Sequence, residues 1–573
     1  MNLSWFNKLT DWNPQLFREI KGRCKPRNLG IAAGLSLLGQ LLLMLSLYQR
    51  LPFARVNDSL ELWSKYCTGL NPHDPKSYYR YNTHPCLVDG GGNFALNWDL
   101  WWYDMFLWLS FSSLVVVLGV GTYMLINDLA NEERRGTLNF LRLTPQSSQT
   151  ILLGKMLGVP VLLYVAALLA TPLHFWAGLA GGISLSRILM YDGAVVACGI
   201  CVFSGAMLFG LLSSWMSGFQ AWLGSGLVLS WLWISGIKID SGLIENDASD
   251  IINWFNPWFI LPYMISPIPD ELPDQLRVVT DYFRGGDAID WQWFYLPIGA
   301  SFVALVCLMV LNFIIWTYWM WHGLNRRFPN PGATWLSKSK SYALVMGFEV
   351  LLLGSGMQTE AYWEDNFNWV LVFNLLLLLG TIASISPDRQ TLIDWARYRH
   401  TARQQKSQGL WKDLIWGEKS PAPVAISLTV LGLAAILFVW LVLFYSTETD
   451  ILERLVGIVT TATIIAIYGV IAQLILLSQI KHAAIWATAI IGSSAFVMPF
   501  ILMILSVEAH DQPLLWLFTG FSWLGIEHIN SITNLLLAFT AQITILGGLS
   551  WKLRQKLNHA GESATKALLA SQR

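Results

Sequence analysis

Long apolar runs alternate with short polar segments along nearly all of the 573-residue chain. Twelve runs carry almost no charge, and most are long enough to cross a hydrocarbon core of about 30 Å as helices. The seventh run is short and needs a tilted neighbour or a thinner bilayer. The pattern predicts an all-α polytopic membrane protein. The predicted spans are 29–48, 101–126, 154–180, 188–215, 221–238, 293–318, 342–357, 367–386, 422–446, 455–479, 485–506 and 532–550.

Two kinds of short segment recur in the same order along the chain. Asn13–Arg23 and Asn330–Lys340 each open with Asn-Pro, a helix N-cap followed by proline at the first helical position, and each is basic. Both are predicted to be amphipathic entry helices on the membrane surface. Asn253–Met264 and Pro513–Gly525 are aromatic, contain Pro or Gly and are too short for a span. They predict re-entrant hairpins before spans 6 and 12.

This repeated order predicts two six-helix halves of the same orientation, joined near residue 330. The predicted domains follow from it. They are a cytoplasmic amphipathic entry helix at 1–28, a first six-span domain at 29–325, a cytoplasmic linker at 326–341, a second six-span domain at 342–550 and a cytoplasmic tail at 551–573.

Charge supports this assignment and adds an orientation. Charged residues make up 13% of the chain and hydrophobic residues 54%, whereas a soluble domain carries about 25% charged residues. Lys and Arg concentrate in the entry, linker and tail segments, while 239–292 holds mainly Asp and Glu. The positive-inside rule then places both termini in the cytoplasm. We expect an integral protein of the plasma (inner) membrane, with the thylakoid as the alternative, surrounded by membrane lipids and without a nucleic-acid partner.

The first extracytoplasmic loop contains Cys67 and Cys86. A disulfide between them closes a loop of about twenty residues and stabilises it by about 3 kcal/mol. Two free thiols are the alternative interpretation.

The polar segment between spans 2 and 3 reads NEERRGTLNFLRLTP, from Asn131 to Pro145. A connecting turn needs neither the four consecutive charges of Glu132–Arg135 nor the apolar cluster that follows, so the segment is predicted to contact a partner. Its candidate contact residues are Glu132, Glu133, Arg135, Gly136, Thr137, Leu138, Phe140, Leu141 and Pro145. A related segment follows span 8 and forms a second candidate loop. Its residues are Arg389, Thr391, Leu392, Trp395 and Arg397.

Glu132–Gly158 resembles the first cytoplasmic loop of type-2 ATP-binding-cassette exporter permeases, and the chain as a whole looks like cyanobacterial members of that family. The resemblance covers about residues 13–325. Asn131, Arg134 and Asn139 depart from the family pattern, and the second half matches by architecture only. The residues that match in order are Gly136, Thr137, Leu138, Thr144, Pro145, Gly154 and Lys155.

The resemblance implies that the loop is a coupling helix that docks on a separate cytosolic ATPase. Leu138, Leu141 and Phe140 are then expected to fill a groove on the ATPase, with the charges at the rim. The chain has no GxxxxGK[ST] segment, so ATP is expected on the partner and no cofactor on this chain. The cargo is unidentified, and the apolar, aromatic spans favour a lipid-like or amphiphilic molecule. A second permease chain is a further expected partner, unless the two halves serve as one fused pair.

Two other classes stay open. An ion-coupled secondary transporter needs charged groups at mid-membrane, and Glu349 is the candidate for such an intramembrane polar site. Its role is either a structural partner or a contact to substrate or protons. An intramembrane enzyme acting on lipid-linked substrates would use the carboxylates of 239–292. The histidines do not pair at metal-ligand spacing, so no metal site is predicted.

Overall fold

The computed structural model supports a helical membrane protein in two separate units. Intrachain contacts divide the chain into an N-terminal unit, Met1–Pro329, and a C-terminal unit, Asn330–Arg573. The structure describes residues 11–52, 63–68, 84–88, 94–213, 216, 218–241, 247–264, 291–358, 363–404, 409–444, 448–526, 529 and 532–561. Parts of the predicted entry segment (1–10), acidic loop (242–246 and 265–290) and tail (562–573) lie outside these residues.

The N-terminal unit is built around one long helix, α3, which packs against α6, α7 and α8. Two antiparallel pairs of two-residue strands, β1–β2 and β3–β4, lie in its loops. Its helices are α1 (Pro14–Arg23), α2 (Pro26–Tyr48), α3 (Trp98–Arg134), α4 (Thr137–Arg142), α5 (Ser148–Gly158), α6 (Val161–Ala180), α7 (Leu185–Leu212), α8 (Phe219–Ser241) and α9 (Phe302–Arg327). Its strands are β1 (Trp63–Ser64), β2 (His84–Pro85), β3 (Gln292–Trp293) and β4 (Leu296–Pro297), and 3₁₀ helices span Ala248–Phe255, Pro257–Tyr263 and Ile298–Ala300.

The C-terminal unit is built around α15, which packs against α11, α14, α16, α19 and α20. A π-helical turn at Ser493–Val497 joins α16 to α17. Its helices are α10 (Lys338–Gly356), α11 (Trp363–Ile385), α12 (Arg389–Gln404), α13 (Leu410–Trp416), α14 (Pro423–Phe444), α15 (Glu448–Leu477), α16 (Ala483–Gly492), α17 (Met498–Ile504), α18 (Pro513–Trp516), α19 (Ser522–Ile526) and α20 (Ile532–Gly561).

Ten helical segments among the described residues are long and apolar enough to cross a membrane. They are α2, α3, α6, α7, α9, α11, α14, α15, α20 and the continuous segment of α16 and α17. The remaining predicted spans, 221–238 and 342–357, fall on α8 and α10. The helical membrane character is therefore confirmed, while the arrangement of twelve spans in two parallel halves stays a prediction.

Three details of the predicted elements are wrong. Span 3 is two helices, because Pro160 has no N–H to continue the helix from α5 into α6. The helix of span 6 begins at Phe302, after the β3–β4 hairpin, and not at residue 293. The second entry helix is absent from the described residues, since 331–336 form turns and bends and Asn330 accepts a hydrogen bond from the Gly332 N–H. α10 starts only after Ser337, its N-cap.

The loop between α2 and α3 is held against the N-terminal end of α3. Cys67 and Cys86 form a disulfide. The Tyr66 hydroxyl donates to Asp104 at 2.6 Å, and Lys65 pairs with the same carboxylate. These contacts hold the described part of the loop against the first turns of α3.

Candidate functional site

The segment that the sequence predicts to be a docking loop folds as a short helix beyond a long one. α3 continues past its predicted span to Arg134, and the chain turns at Gly136, whose φ of +72° is in the left-handed region that glycine adopts without strain. α4 follows at once, and the Thr137 hydroxyl donates back to the Glu132 carbonyl at 3.2 Å. The turn fixes the angle at which α4 leaves α3.

The structure shows which apolar residues of α4 are buried. Leu138 and Leu141 lie inside the unit, so they pack α4 against its own unit. Phe140 is 72% exposed and Leu143 is 85% exposed. The two exposed residues are three positions apart and share one face of the helix. We call Phe140 and Leu143 the α4 apolar pair.

Arg142 ties α4 to the end of α9. Its guanidinium donates to the Phe328 carbonyl at 2.7 Å and to the Asn139 side chain at 2.6 Å. It also lies 3.3 Å from the Glu133 carboxylate. Glu133 therefore has a partner inside the unit, whereas Arg135, Thr137 and Pro145 are exposed beside the α4 apolar pair.

A buried ionic network lies directly beside the loop, and Lys155 of α5 is at its centre. The Lys155 side chain is 0% exposed, and its ammonium lies 2.6 Å from Asp128 and 2.7 Å from Glu132. Both carboxylates belong to the last turns of α3. A third carboxylate, Glu19 of α1, lies 3.7 Å from the same ammonium. Glu132 is thus held by contacts within its own unit, to Lys155 and to Arg18 of α1.

Helix α1 completes the network with two arginines. Arg23 contacts Asp128 at 2.6 Å and Glu19 at 3.1 Å, and Arg18 contacts Glu132 at 2.7 Å. Three cations and three carboxylates from α1, α3 and α5 therefore balance one another. Separating a buried ion pair leaves an uncompensated charge, which is costly. We therefore expect these three helices to move as one body.

Two glycines of α5 allow α1 to approach closely enough for these contacts. A Cβ at Gly154 would lie 2.8 Å from the Asn13 side-chain oxygen, and a Cβ at Gly158 would lie 2.5 Å from the Glu19 Cβ. Asn13 caps α1 by accepting from the Leu16 N–H and donates to the Thr150 carbonyl of α5. The Gly-Lys pair at 154–155 thus combines close backbone packing with charge neutralisation.

Replacing Gly158 with alanine is expected to destabilise the N-terminal unit by about 1–3 kcal/mol, the usual cost of overpacking. The new methyl group would overlap Glu19 and push α1 away from α5. Thermal unfolding in detergent measures the effect. Gly22→Ala on α1 is the matched control, because a Cβ there meets nothing within 4 Å. An equal melting temperature for both variants would refute the role of Gly158.

The carboxylates of the network also meet a distance criterion for a cation site. Oxygens of Glu19, Asp128 and Glu132 lie within 4.8 Å of one another. The Lys155 ammonium already lies among them, and it supplies the positive charge that a metal ion would bring. The geometry is that of an internal ion-pair network.

The second candidate loop does not reproduce the first. Leu392 of α12 is fully buried against Val470, Leu477 and Leu553, so α12 packs along α20. Arg389 and Arg397 are exposed, Trp395 is partly buried, and the Thr391 N–H donates to Asp388 in the cap of α12. The structure therefore places these residues on a helix that is held against its own unit.

Lys338 holds the last part of this second loop, at α13 and the residues that follow it. It precedes predicted span 7, is buried, and donates to the Leu414 carbonyl at 2.7 Å and to Ser420 at 2.6 Å. Burial lowers the pKa of Lys338 from 10.5 to about 7, although the negative charge of Asp413 opposes the shift. Asp413 itself pairs with Arg399 of α12 at 3.1 Å.

We expect the C-terminal unit to gain stability from Lys338 as the pH rises from 7 toward 10. The folded-state pKa lies below the unfolded value, so the unfolded chain binds more protons in this window and stability increases with pH. The measurement is the melting temperature of the wild type minus that of Lys338→Met at several pH values. Lys340→Met is the control on the same helix. A difference that stays flat or falls with pH would contradict the expectation.

Glu349 lies inside the C-terminal unit, on α10, with 1% of its surface exposed. Both of its carboxylate oxygens are buried. Its role, as a structural partner or as a contact to substrate or protons, stays a prediction.

Two polar contacts within predicted spans could not be predicted from the sequence, because their partners lie on other helices. Lys155 stands at the start of predicted span 3, where a lysine in an apolar run is costly without partners. His174 and Asp192 lie within 3.2 Å of each other on α6 and α7. The residues themselves are visible in the sequence, but their pairing depends on how the helices pack.

Comparison with known proteins found no related protein. No protein-family model matches the chain, and neither curated proteins nor solved structures give a match.

Proposed function

We propose that the chain is the membrane-spanning permease subunit of an ATP-driven exporter whose ATPase is a separate cytosolic protein. The observation that carries the proposal is the exposed α4 apolar pair on a firmly anchored helix. Large apolar side chains that project from a fixed polar loop are typical anchors for a pocket on a partner. The Gly-Thr-Leu, Thr-Pro and Gly-Lys residues of this loop also resemble those of type-2 ATP-binding-cassette exporter permeases.

The anchoring suggests how movement of the ATPase reaches the membrane. α4 is joined to α3 through the Gly136 turn and to α9 through Arg142, and the Lys155 network joins α3 to α5 and α1. A push on α4 is therefore delivered to several helices together rather than absorbed by a flexible loop. With both termini in the cytoplasm, as the Lys and Arg distribution predicts, α4 lies on the cytoplasmic side.

We expect the purified chain alone to hydrolyse no ATP, since its sequence contains no phosphate loop of the GxxxxGK[ST] type. Hydrolysis is expected only in preparations that retain the ATPase subunit. The measurement is phosphate release before and after the partner is removed by high salt or mild denaturant. Activity that persists in a preparation shown by mass spectrometry to contain this chain alone would overturn the proposed function.

A further inference from the structure

A cavity of about 560 Å³ lies in the N-terminal unit between α3, α6 and α7. Its volume is within the range of roughly 300–1,000 Å³ that is usual for small-molecule sites. The cavity is distinct from the α4 loop and the ionic network. We call it the α6–α7 cavity.

Four of the polar side chains that line this cavity lie near one end of it. His174 of α6 and Asp192 of α7 lie 3.2 Å apart, and Thr171 and Tyr191 are beside them in the lining. The His174 ring stacks on Phe106 with centroids 4.5 Å apart, so its position is fixed by packing. Asp192 keeps 32% of its side chain exposed, which leaves part of the carboxylate open to a ligand.

The rest of the cavity wall is mostly apolar. On α7 it is formed by residues at helical spacing, namely Val195, Val196, Gly199, Ile200 and Phe203. The eleven helical steps from Asp192 to Phe203 rise about 16 Å, close to half of a hydrocarbon core of about 30 Å. Among the described residues that line the cavity, none is Lys or Arg. The cavity therefore has a polar end, with one carboxylate at Asp192 beside His174, and a mostly apolar channel of about one leaflet's depth.

The cavity is also accessible from the side. Val196 is 63% exposed and Ile200 is 40% exposed, on a helix apolar and long enough to span a membrane. A second apolar cavity of about 890 Å³ lies between α2, α3 and α6, and both cavities are lined by Ser113 and Ala167. A chain dissolved in the bilayer can therefore enter without crossing a polar barrier.

We propose that the α6–α7 cavity binds one amphiphile with a cationic amine head, which pairs with Asp192, and a single long alkyl chain, which lies along Val196 and Phe203. An acidic group that is partly open in an apolar surrounding favours a cation over a neutral or anionic head. That this amphiphile is the exported cargo rests on the proposed function. Binding itself needs no ATPase.

The test uses the full chain in lipid nanodiscs with a photoreactive hexadecylamine, and with the corresponding hexadecanol as a neutral probe. Labelled peptides are mapped by mass spectrometry. Gly199→Leu fills the cavity, while Gly193→Leu places the same side chain elsewhere on α7, and a Cβ meets nothing within 4 Å at either glycine. Amine labelling of α6 and α7 is expected to fall several-fold in Gly199→Leu and to be retained in Gly193→Leu.

Asp192→Asn tests the head group separately. It is expected to lower labelling by the amine about tenfold and to leave labelling by the alcohol nearly unchanged, because only the charge-assisted contact is lost. Asp99→Asn, an exposed carboxylate on the same unit, is the control. Equal labelling in both glycine variants, or an equal effect of Asp192→Asn on both probes, would overturn the proposal. Since no ATPase is present, these results stand apart from the test of the proposed function.

Discussion

Replacing Lys155 with methionine is expected to destabilise the N-terminal unit by about 3–5 kcal/mol, the usual cost of breaking a buried ion pair from one side. Methionine fills nearly the same space but leaves Asp128 and Glu132 without the ammonium that lies 2.6 and 2.7 Å from them. Thermal unfolding in detergent, at constant lipid and salt, measures the loss.

The compensating variant makes this prediction specific. If charge imbalance is the cause, adding Asp128→Asn and Glu132→Gln to Lys155→Met should recover much of the lost stability, because replacing all charged partners is far less costly than removing one. Lys21→Met, at an exposed lysine of α1, controls for loss of a positive charge. A melting temperature for Lys155→Met equal to that of Lys21→Met would show that the network does not hold the helices together.

Changing the α4 apolar pair to Phe140→Asp and Leu143→Asp is expected to abolish co-purification of the ATPase. Interface anchors of this size contribute enough that their loss should cost about 3 kcal/mol or more, roughly a hundredfold in Kd. Both side chains are exposed in the isolated chain, so the melting temperature of the variant should stay near that of the wild type. The measurement is the amount of ATPase retained per permease chain after affinity purification.

Two further variants locate the contact. Leu138→Asp is expected to lower both stability and ATPase retention, because Leu138 is buried within the unit. Leu410→Asp with Trp411→Asp changes two exposed apolar residues of α13 in the second loop. If only the first loop docks on the ATPase, that variant retains the ATPase. Two permease chains are then needed for two ATPase subunits. Normal retention by the Phe140 and Leu143 variant would show that α4 is only a connector.

The sequence predicted the membrane helices well, because a twenty-residue apolar run has few stable alternatives in lipid. It could not predict which face of α4 is buried. In a helix, Leu138 and Leu141 form one apolar stripe, while Phe140 and Leu143 form another, and both have the same spacing. Only the position of the rest of the unit decides that the first stripe is inside. We therefore propose Phe140 and Leu143, and not Leu138 and Leu141, as the docking contacts.

The sequence could not predict the ionic network either, for a different reason. Glu19 and Lys155 are 136 residues apart, and their proximity depends on the packing of α1 on α5. No local pattern encodes that contact. What the sequence does show is a Gly-Lys pair at the start of an apolar run, and the structure explains both residues: the glycine admits α1 and the lysine neutralises its carboxylate.

The most direct measurement of the central claim is a photo-crosslink from α4 in intact cells. A photoreactive amino acid replaces Phe140, and the same residue placed at Leu87, which is exposed in the loop before α3, is the control. The account predicts one dominant adduct from position 140, with a cytosolic protein that carries a GxxxxGK[ST] phosphate loop, and none with that protein from position 87. Adducts from position 140 that contain only lipid, or no nucleotide-binding protein, would contradict it.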